Sequence, residues 1–214
     1  MEISYDMSIE NSSHENDFAV KDKAKKRGIL FIISGPSGVG KGTLCKAIMN
    51  IEGINISVSC TTRPPRDGEI DGIDYRFISS EEFKKKLDES QFLEHALVHE
   101  NMYGTLRKDV ERILESGEDI ILEIDVQGAF QVKSKMDCVS VFILPPSLEI
   151  LEARLCDRGG DNDVKLRLKN AEYEMSHSGE FNYRIVNDSL DKAVSDLKNI
   201  IVNHRNMSRG LSIK

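Results

Sequence analysis

The sequence predicts an α/β fold organised around a parallel β-sheet, and two observations support this prediction. Between residues 28 and 208, short apolar runs alternate with segments whose apolar residues recur at helical spacing. The first apolar run, at residues 29–33, leads into a glycine-rich loop and then into a helical pattern. Because parallel strands are joined by helical crossovers, this alternation indicates a parallel sheet, and the ligands of such sheets bind beyond the carboxyl ends of the strands.

The composition is that of an ordinary globular chain. The 214 residues are 39% hydrophobic and 30% charged, with a formal net charge of −7. This acidic balance argues against bulk binding of nucleic acid, which requires a basic face. No apolar run is long enough to cross a bilayer and no signal-peptide core is present, so we expect a cytoplasmic protein with no membrane partner.

Cysteine and histidine spacing predicts neither a disulfide framework nor a structural metal site. The four cysteines are widely spread and form no C-x-x-C pair, which suits a reducing cytosol. His95 and His99 have metal-like spacing, but their surroundings read as a strand, so we interpret them as solvated or packed side chains. Residues 1–27 are polar and of mixed charge and are expected to form a disordered tail, with a short second tail at 209–214.

The glycine-rich loop has the pattern of a phosphate-binding P-loop. It comprises Gly35, Pro36, Ser37, Gly38, Val39, Gly40, Lys41, Gly42 and Thr43. The glycines permit tight turns that point backbone N–H groups inward, and the N-terminus of the following helix adds partial positive charge. Lys41 supplies a full charge for the outer phosphates, and we expect it to face solvent when no ligand is bound. We therefore predict that the loop binds the phosphates of a nucleotide.

One position departs from the usual P-loop pattern. A serine or threonine normally follows the lysine and offers its hydroxyl to Mg²⁺, but here Gly42 follows Lys41 and the hydroxyl comes one residue later, on Thr43. Either Thr43 reaches the metal, or Mg²⁺ is held by water and by the nucleotide itself.

Further strands and helices are predicted along the chain. Strands are expected at 56–60, 74–78, within 92–103 as a pair, at 119–125, at 139–144 and at 184–186. Helices are expected from Ser79, which has capping-box spacing to Glu82, from about 110 to Gly117, and at about 127–135, 148–156, 164–177 and 190–201. The short strands and loops of 56–103 suggest a small insertion on a larger α/β frame.

Two arginines stand three residues apart on a proline-stiffened loop. Arg63 and Arg66 flank Pro64 and Pro65, and two guanidinium groups so presented can bind one phosphate with forked hydrogen bonds. For an isolated R-x-x-R pair, an unliganded surface location is the usual outcome, so the surrounding sequence must decide.

That surrounding sequence resembles guanylate kinases, nucleoside monophosphate kinases of the P-loop class. The resemblance runs from about residue 28 to 208, with its motifs in family order, and the Gly-Lys-Gly-Thr ending of the P-loop resembles adenylate kinases. The matching segments are 59–69 with Gly72, Asp74 and Tyr75, then 92–94, 103–105, 124–128, 142–147 and 185–188.

The resemblance implies a P-loop kinase core with a small inserted GMP-binding subdomain at about 56–103 and a helical lid at about 154–167. It implies that the GMP phosphate is held by Arg63, Arg66, Tyr75 and Tyr103. It also implies that guanine is read by Ser59, Glu94 and Thr105, helped by the carboxylates Glu123 and Asp125, and that Gly104 belongs to the same GMP site. Lys41, Arg63, Arg158 and Arg167 would be the catalytic cations.

The chemistry of Glu94 suits guanine, whose adjacent N1–H and N2–H₂ donors a carboxylate can accept, whereas adenine presents an acceptor at N1. Without the resemblance, Glu94 would read as a solvated charge at a strand edge. Strand alternation predicts that Glu123 and Asp125 point to the same face of the sheet. The alternative is that both are ordinary charged residues at a strand end, with no role in binding. Glu123 stands where the family usually has aspartate, and the stretch between Arg158 and Arg167 is two residues shorter than in relatives. By the same resemblance Asn187 would lie near adenine, with a purely structural role as the alternative.

The resemblance thus implies phosphorylation of GMP, and also of dGMP, by ATP with Mg²⁺, in purine nucleotide metabolism. Thr43 and Asp125 are the candidate metal contacts, directly or through water. The rival hypotheses are a kinase for another small phosphate acceptor and a non-catalytic binding module, which would not need Lys41 and an intact P-loop. The sequence carries no signal for an oligomeric state.

Overall fold

A computed structural model describes residues 26–98, 100–156 and 164–210. Within these ranges the chain forms a five-stranded sheet and a four-stranded sheet, joined and covered by helices. The predicted α/β class with a parallel central sheet is confirmed. No helix within the described ranges combines the length and the apolarity that a membrane span would need.

The larger sheet is parallel throughout, in the order β2-β7-β1-β8-β9. Its strands are β1 (Leu30–Ser34), β2 (Ile54–Ile56), β7 (Asp119–Glu123), β8 (Val139–Leu144) and β9 (Tyr183–Val186). β1 is the central strand, so the loop that follows it emerges at the middle of the sheet's carboxyl edge, where ligands of such sheets bind.

Helices cover both faces of this sheet. Alternate residues of β1 point to opposite sides, and because they are apolar on both sides, both faces must be buried. Phe31 and Ile33 pack with α1 (Lys41–Ile48), α5 (Leu148–Cys156), α6 (Val164–Ser176) and α7 (Leu190–Arg209). Leu30 and Ile32 pack with α3 (Arg107–Glu115) and α4 (Val126–Lys133). Burial of each such side chain contributes roughly 1.5–3 kcal/mol, so these two cores fix the edge from which the P-loop projects.

The smaller sheet has the order β4-β3-β6-β5. Its strands are β3 (Cys60–Thr61), β4 (Arg76–Phe77), β5 (Phe92–Val98) and β6 (Asn101–Leu106), and α2 (Ser80–Asp88) packs on it. The rings of Phe83 and Phe92 stack with centroids 4.4 Å apart beneath this sheet. The antiparallel register of β5 and β6 places Glu94 opposite Thr105.

Two of the predicted helix ends depend on the expected residues. Ser79 caps α2, since its hydroxyl accepts a hydrogen bond of 3.1 Å from the Glu82 N–H. α3 ends before Gly117, whose φ of 81° lies in the left-handed region that glycine adopts without strain.

Two strand predictions were wrong. The segment 56–60 is not one strand: β2 ends at Ile56 in the large sheet, and β3 begins at Cys60 in the small one. The strand expected at 119–125 ends at Glu123, and Asp125 caps α4 instead, accepting a 2.7 Å hydrogen bond from the Gly128 N–H. Short polar stretches do not reveal which sheet will pair with them, and an aspartate that follows a strand competes for the next helix cap.

Candidate active site

A cavity of about 290 Å³ lies at the carboxyl edge of the large sheet, between the P-loop, the small sheet and α6. The predicted site residues that line it are Gly35, Ser37, Lys41, Ser59, Arg66, Tyr75, Glu94, Tyr103, Glu123, Asp125 and Arg167. Ala96, Val98, Ile124, Asn170 and Glu174 complete the lining. The structure therefore gathers into one cavity residues that span more than 130 positions of sequence.

The P-loop follows β1 directly, as predicted. Gly40 has a φ of 98° and immediately precedes α1, and a Cβ at this position would lie 2.6 Å from Nδ2 of Asn187. Both the backbone conformation and the close approach therefore require glycine here. The loop leads into the N-terminus of α1, which gives it the N–H groups and partial positive charge that bind phosphate.

Lys41 is only partly exposed, although we expected it to face solvent. The side chain is half-buried, and its Nζ donates to the backbone carbonyls of Gly35 at 2.5 Å and Pro36 at 3.2 Å. In the ligand-free loop the ammonium group is thus satisfied by the carbonyls of the loop itself. A phosphate would have to offer it stronger acceptors than these two.

Asn187 lies behind the P-loop. It follows β9, is buried, and donates from Nδ2 to the Val39 carbonyl at 2.8 Å. This contact ties the loop to the edge strand of the sheet and supports the structural reading of Asn187. A contact of Asn187 with adenine stays a prediction.

The space beside Gly42 faces an acidic side chain. A Cβ on Gly42 would lie 3.4 Å from Oε2 of Glu123, which is ordinary contact distance. Thr43 is exposed and does not line the cavity, whereas Asp125 does. Glu123 and Asp125 thus present carboxylates on the Lys41 side of the cavity, a donor set that suits Mg²⁺ bound together with nucleotide phosphates.

Arg63 is held mainly within the protein. Its Nη1 and Nη2 donate to the two carboxylate oxygens of Glu69, each at 2.7 Å, and Nη1 also donates to the Pro64 carbonyl at 2.8 Å. The side chain is 8% exposed, and the Arg63 guanidinium lowers the pKa of Glu69 to about 2. The sequence prediction missed Glu69, although its regular spacing after Arg63 and Arg66 was a signal.

Arg63 also orients two tyrosines at the cavity wall. Its Nε donates to Tyr103 Oη at 3.2 Å, and its guanidinium carbon lies 5.1 Å from the centroid of the Tyr75 ring. Because the Tyr103 oxygen accepts this bond, its own proton is available to a ligand. Arg66 lines the cavity directly, so Arg66, Tyr75 and Tyr103 form a wall that can donate to an anion.

Glu94 is buried and not solvated, so the strand-edge alternative was wrong. It is 3% exposed and accepts hydrogen bonds from the side chain and the backbone of Thr105. The Thr105 hydroxyl is in turn 3.1 Å from the Ser59 hydroxyl. Burial raises the pKa of Glu94 to about 7, and the negative charge of Asp125 adds to this effect. A buried carboxylate at a cavity wall is a candidate for binding ligand donors.

Gly104 lies next to Thr105 on the strand that faces Glu94, and it does not line the cavity. It lies on β6, and a Cβ there would be 2.8 Å from a ring atom of Phe92. Its predicted contact with GMP stays a prediction.

One face of α6 forms the far side of the cavity. Arg167, Asn170 and Glu174 recur at helical spacing and all line it. Burial raises the pKa of Glu174 to about 7, and within the described residues its Oε2 receives no hydrogen bond. Sequence analysis missed Asn170 and Glu174, although their spacing of three and seven residues from Arg167 places them on the same face of a helix. Arg158 lies outside the described residues, as does half of the predicted lid, residues 157–163.

Comparisons with known proteins identify the family of the chain. The guanylate kinase family model matches residues 27–204. A guanylate kinase of Clostridium perfringens is 49% identical over 180 residues, covering 82% of this chain and 83% of that protein. One from Bartonella henselae is 47% identical over 190 residues, covering 87% of this chain and 86% of that protein.

A solved structure is also similar. The crystal structure of guanylate kinase from Anaplasma phagocytophilum superposes with a TM-score of 0.70 at 37% identity, covering 84% of this chain and 87% of that one. The family model matches most of the chain, and one cavity combines the P-loop, the wall of Arg66, Tyr75 and Tyr103, and the buried carboxylate of Glu94. The chain therefore belongs to the guanylate kinase family.

Proposed function

We propose that this protein transfers the terminal phosphoryl group of ATP to GMP, yielding ADP and GDP, and that it accepts dGMP as well. One observation carries the proposal: a single cavity joins the P-loop lysine, a wall of anion donors and a buried carboxylate. These three parts match the phosphates of a donor nucleotide, the phosphate of an acceptor and the base of that acceptor.

At the donor end, P-loop N–H groups and the N-terminus of α1 hold the phosphates of ATP. Lys41 exchanges the carbonyls of Gly35 and Pro36 for phosphate oxygens. Since charge-assisted hydrogen bonds to phosphate are stronger than those to neutral carbonyls, this exchange is favourable.

At the acceptor end, Arg66, Tyr75 and Tyr103 hold the phosphate of GMP. Arg63 acts mainly through the two tyrosines, because its contacts with Glu69 and Tyr103 occupy most of its N–H groups. Arg167 faces the same cavity from α6 and adds positive charge where the phosphoryl group moves.

The base is read by Glu94, with Ser59 and Thr105 beside it. Glu94 in its ionised form accepts from N1–H and N2–H₂ of guanine, whereas adenine would leave the buried carboxylate facing an acceptor. The hydrogen-bond chain from Ser59 through Thr105 fixes the carboxylate before GMP arrives.

The reaction needs no general base. The attacking group is a phosphate oxygen of GMP, which is largely anionic at neutral pH. Catalysis therefore rests on in-line positioning of the two phosphates and on cancellation of charge by Lys41 and the arginines.

Mg²⁺ fits the carboxylates Glu123 and Asp125 together with the nucleotide, and Gly42 offers it no side chain. When bound, Mg²⁺ would neutralise charge on the phosphates of ATP. A contact from Thr43 would need a change from its exposed position, so Asp125 is the better of the two predicted metal contacts.

We further propose that the protein acts in the cytoplasm, in purine nucleotide metabolism, with ATP and GMP as its partners and with no role for nucleic acid or membranes. The net charge of −7 is consistent with small anionic ligands bound by a local basic cluster.

The test is ADP formation by the purified protein, coupled to an optical readout, with GMP, dGMP, AMP or UMP and with or without Mg²⁺. GMP-dependent turnover that requires Mg²⁺ and prefers GMP over AMP is expected, and a Lys41→Met variant serves as the matched inactive control. Absence of GMP-dependent ADP formation would refute the proposal. A preference for AMP or UMP would refute the reading of the base.

A further inference from the structure

Gly128 has no local reason to be glycine. It is buried near the start of α4, its N–H bonds to Asp125, and its φ does not lie in the left-handed region. Alanine is a better helix former than glycine, so helix propensity alone would favour alanine at this position.

The reason lies in the carboxylate that packs against it. A Cβ on Gly128 would lie 2.5 Å from Oε2 of Glu94, 3.3 Å from the Cδ of Glu94 and 3.3 Å from Oδ1 of Asp125. Non-bonded carbon and oxygen atoms do not approach as closely as 2.5 Å in folded proteins. The Glu94 carboxylate therefore occupies the space that a side chain at residue 128 would take.

Glu94 has little room to withdraw. It is 3% exposed, and Thr105 holds its carboxylate from the β6 side. A methyl group at residue 128 would push the carboxylate off α4, and this motion would strain or break the bonds from Thr105. The orientation of the carboxylate towards the cavity thus depends on α4 as well as on the small sheet.

We propose that Gly128 is a specificity-determining residue: by lacking a side chain it positions Glu94 to accept from a purine that carries adjacent N–H donors, and so sets the preference for guanine over adenine. This inference rests on the proposed function, in which Glu94 reads the base. Gly128 acts mainly through Glu94, because a Cβ at 3.3 Å from Oδ1 of Asp125 requires a shift of only a few tenths of an ångström there.

The expected effect falls mainly on binding, with a smaller cost to stability from the strained bonds of Thr105. The group that must move is the end of a flexible side chain, while the helix gains a residue of higher propensity. Gly128→Ala should therefore raise KM for GMP about 10- to 100-fold, as expected when buried hydrogen bonds to a charged group are misplaced. KM for ATP should stay within about twofold and the melting temperature within a few degrees.

The experiment measures GMP and AMP kinetics and GMP binding by calorimetry for Gly128→Ala. Gly179→Ala is the matched control, because a Cβ there would meet nothing closer than 3.9 Å, at an arginine tip. Glu94→Asp supplies the rescue background, since its shorter side chain removes the overlap. In that background Gly128→Ala should cost less than about twofold, a non-additivity expected only of residues in contact.

A crystal structure of Gly128→Ala separates this inference from the proposed function. Displacement of the Glu94 carboxylate together with a raised KM for GMP supports the inference. If Glu94→Gln leaves the choice of GMP over AMP unchanged, the reading of the base is refuted, and with it the effect of Gly128 on that choice. An unmoved carboxylate with wild-type KM for GMP overturns the inference. Failure of Gly128→Ala to fold in both backgrounds also overturns it, because overlap with Glu94 would then not be the cause.

Discussion

Replacing Glu94 with glutamine should make the protein more stable and a poorer enzyme for GMP, and the gain in stability should depend on pH. Burial raises the pKa of Glu94 to about 7, from an ordinary value near 4.5. The folded protein therefore binds the Glu94 proton more tightly than the unfolded chain does. The stability associated with that proton is fully present below about pH 4.5 and is lost as the pH rises through 7.

The size of the effect follows from the same values. One pKa unit corresponds to about 1.4 kcal/mol, so keeping Glu94 ionised in the fold above pH 7 costs about 3 kcal/mol. Glutamine avoids this cost but accepts the Thr105 bonds less well, which leaves a net gain of about 2 kcal/mol. For a chain of this length that gain raises the melting temperature by roughly 4–8 °C.

Thermal unfolding of wild type and Glu94→Gln at several pH values would measure this gain. The difference between the two proteins should grow between about pH 4.5 and 7 and stay constant above it. In the same proteins, KM for GMP at pH 8 should rise about 10- to 100-fold in the variant, with little change for AMP. Lowering the pH should weaken GMP binding to wild type as Glu94 takes up its proton.

Two other titrations must be separated from that of Glu94. The GMP phosphate titrates near pH 6, and burial raises the pKa of Glu174 to about 7, but both contribute equally to wild type and variant. The ratio of the two proteins therefore isolates Glu94. If Glu94→Gln is less stable than wild type at pH 8, the ionised carboxylate does not destabilise the fold as argued. If the variant keeps the wild-type KM for GMP, the carboxylate does not contribute to GMP binding.

Three further substitutions test other parts of the site. Lys41→Met should lower kcat by about 10²–10³. The loss of two hydrogen bonds to loop carbonyls should lower the free energy of unfolding by only about 1 kcal/mol. Near-normal turnover of this variant would contradict the role of Lys41. Glu69→Gln should cost about 3 kcal/mol and raise KM for GMP by loosening Arg63, with Glu111→Gln, in an exposed pair, as a control near zero. Gly42→Ser should fold and stay active, because its Cβ meets nothing closer than 3.4 Å; titration of turnover with Mg²⁺ would detect any new metal contact, and an unfolded variant would refute the reasoning.

The sequence predicted the frame of the fold because the signals for it are local. Apolar runs, helical spacing and the capping pair of Ser79 and Glu82 each act within a few residues, and the parallel sheet follows from their alternation. The P-loop is equally local, since a strand, a glycine-rich turn and Lys41 lie within fifteen residues.

Other features arise only when distant segments meet. Nothing in the neighbours of Glu94 along the chain shows that Thr105 and α4 will bury it, and its raised pKa follows from that burial. The pairing of Arg63 with Glu69 was likewise outside a motif-based prediction, which assigned the Arg63 guanidinium to the GMP phosphate. The hydrogen bonds that Lys41 donates to Gly35 and Pro36 depend on where these carbonyls lie in the folded loop, and the sequence pattern does not reveal this.

The glycines of this site serve two different physical purposes. Gly40 is required by its backbone, with a φ of 98° that other residues adopt only with strain. Gly42 and Gly128 lie in helices where alanine would fit the backbone, and each leaves room for a carboxylate, Glu123 or Glu94. At Gly42 that room is sufficient for a small side chain, whereas at Gly128 it is not. The backbone glycines therefore shape the phosphate site, while Gly128 acts on the base site through the position of an acid, and the two classes should respond differently to alanine. Alanine at Gly40 should impair folding of the loop and the use of ATP, whereas alanine at Gly128 should leave both intact and change only the choice of base.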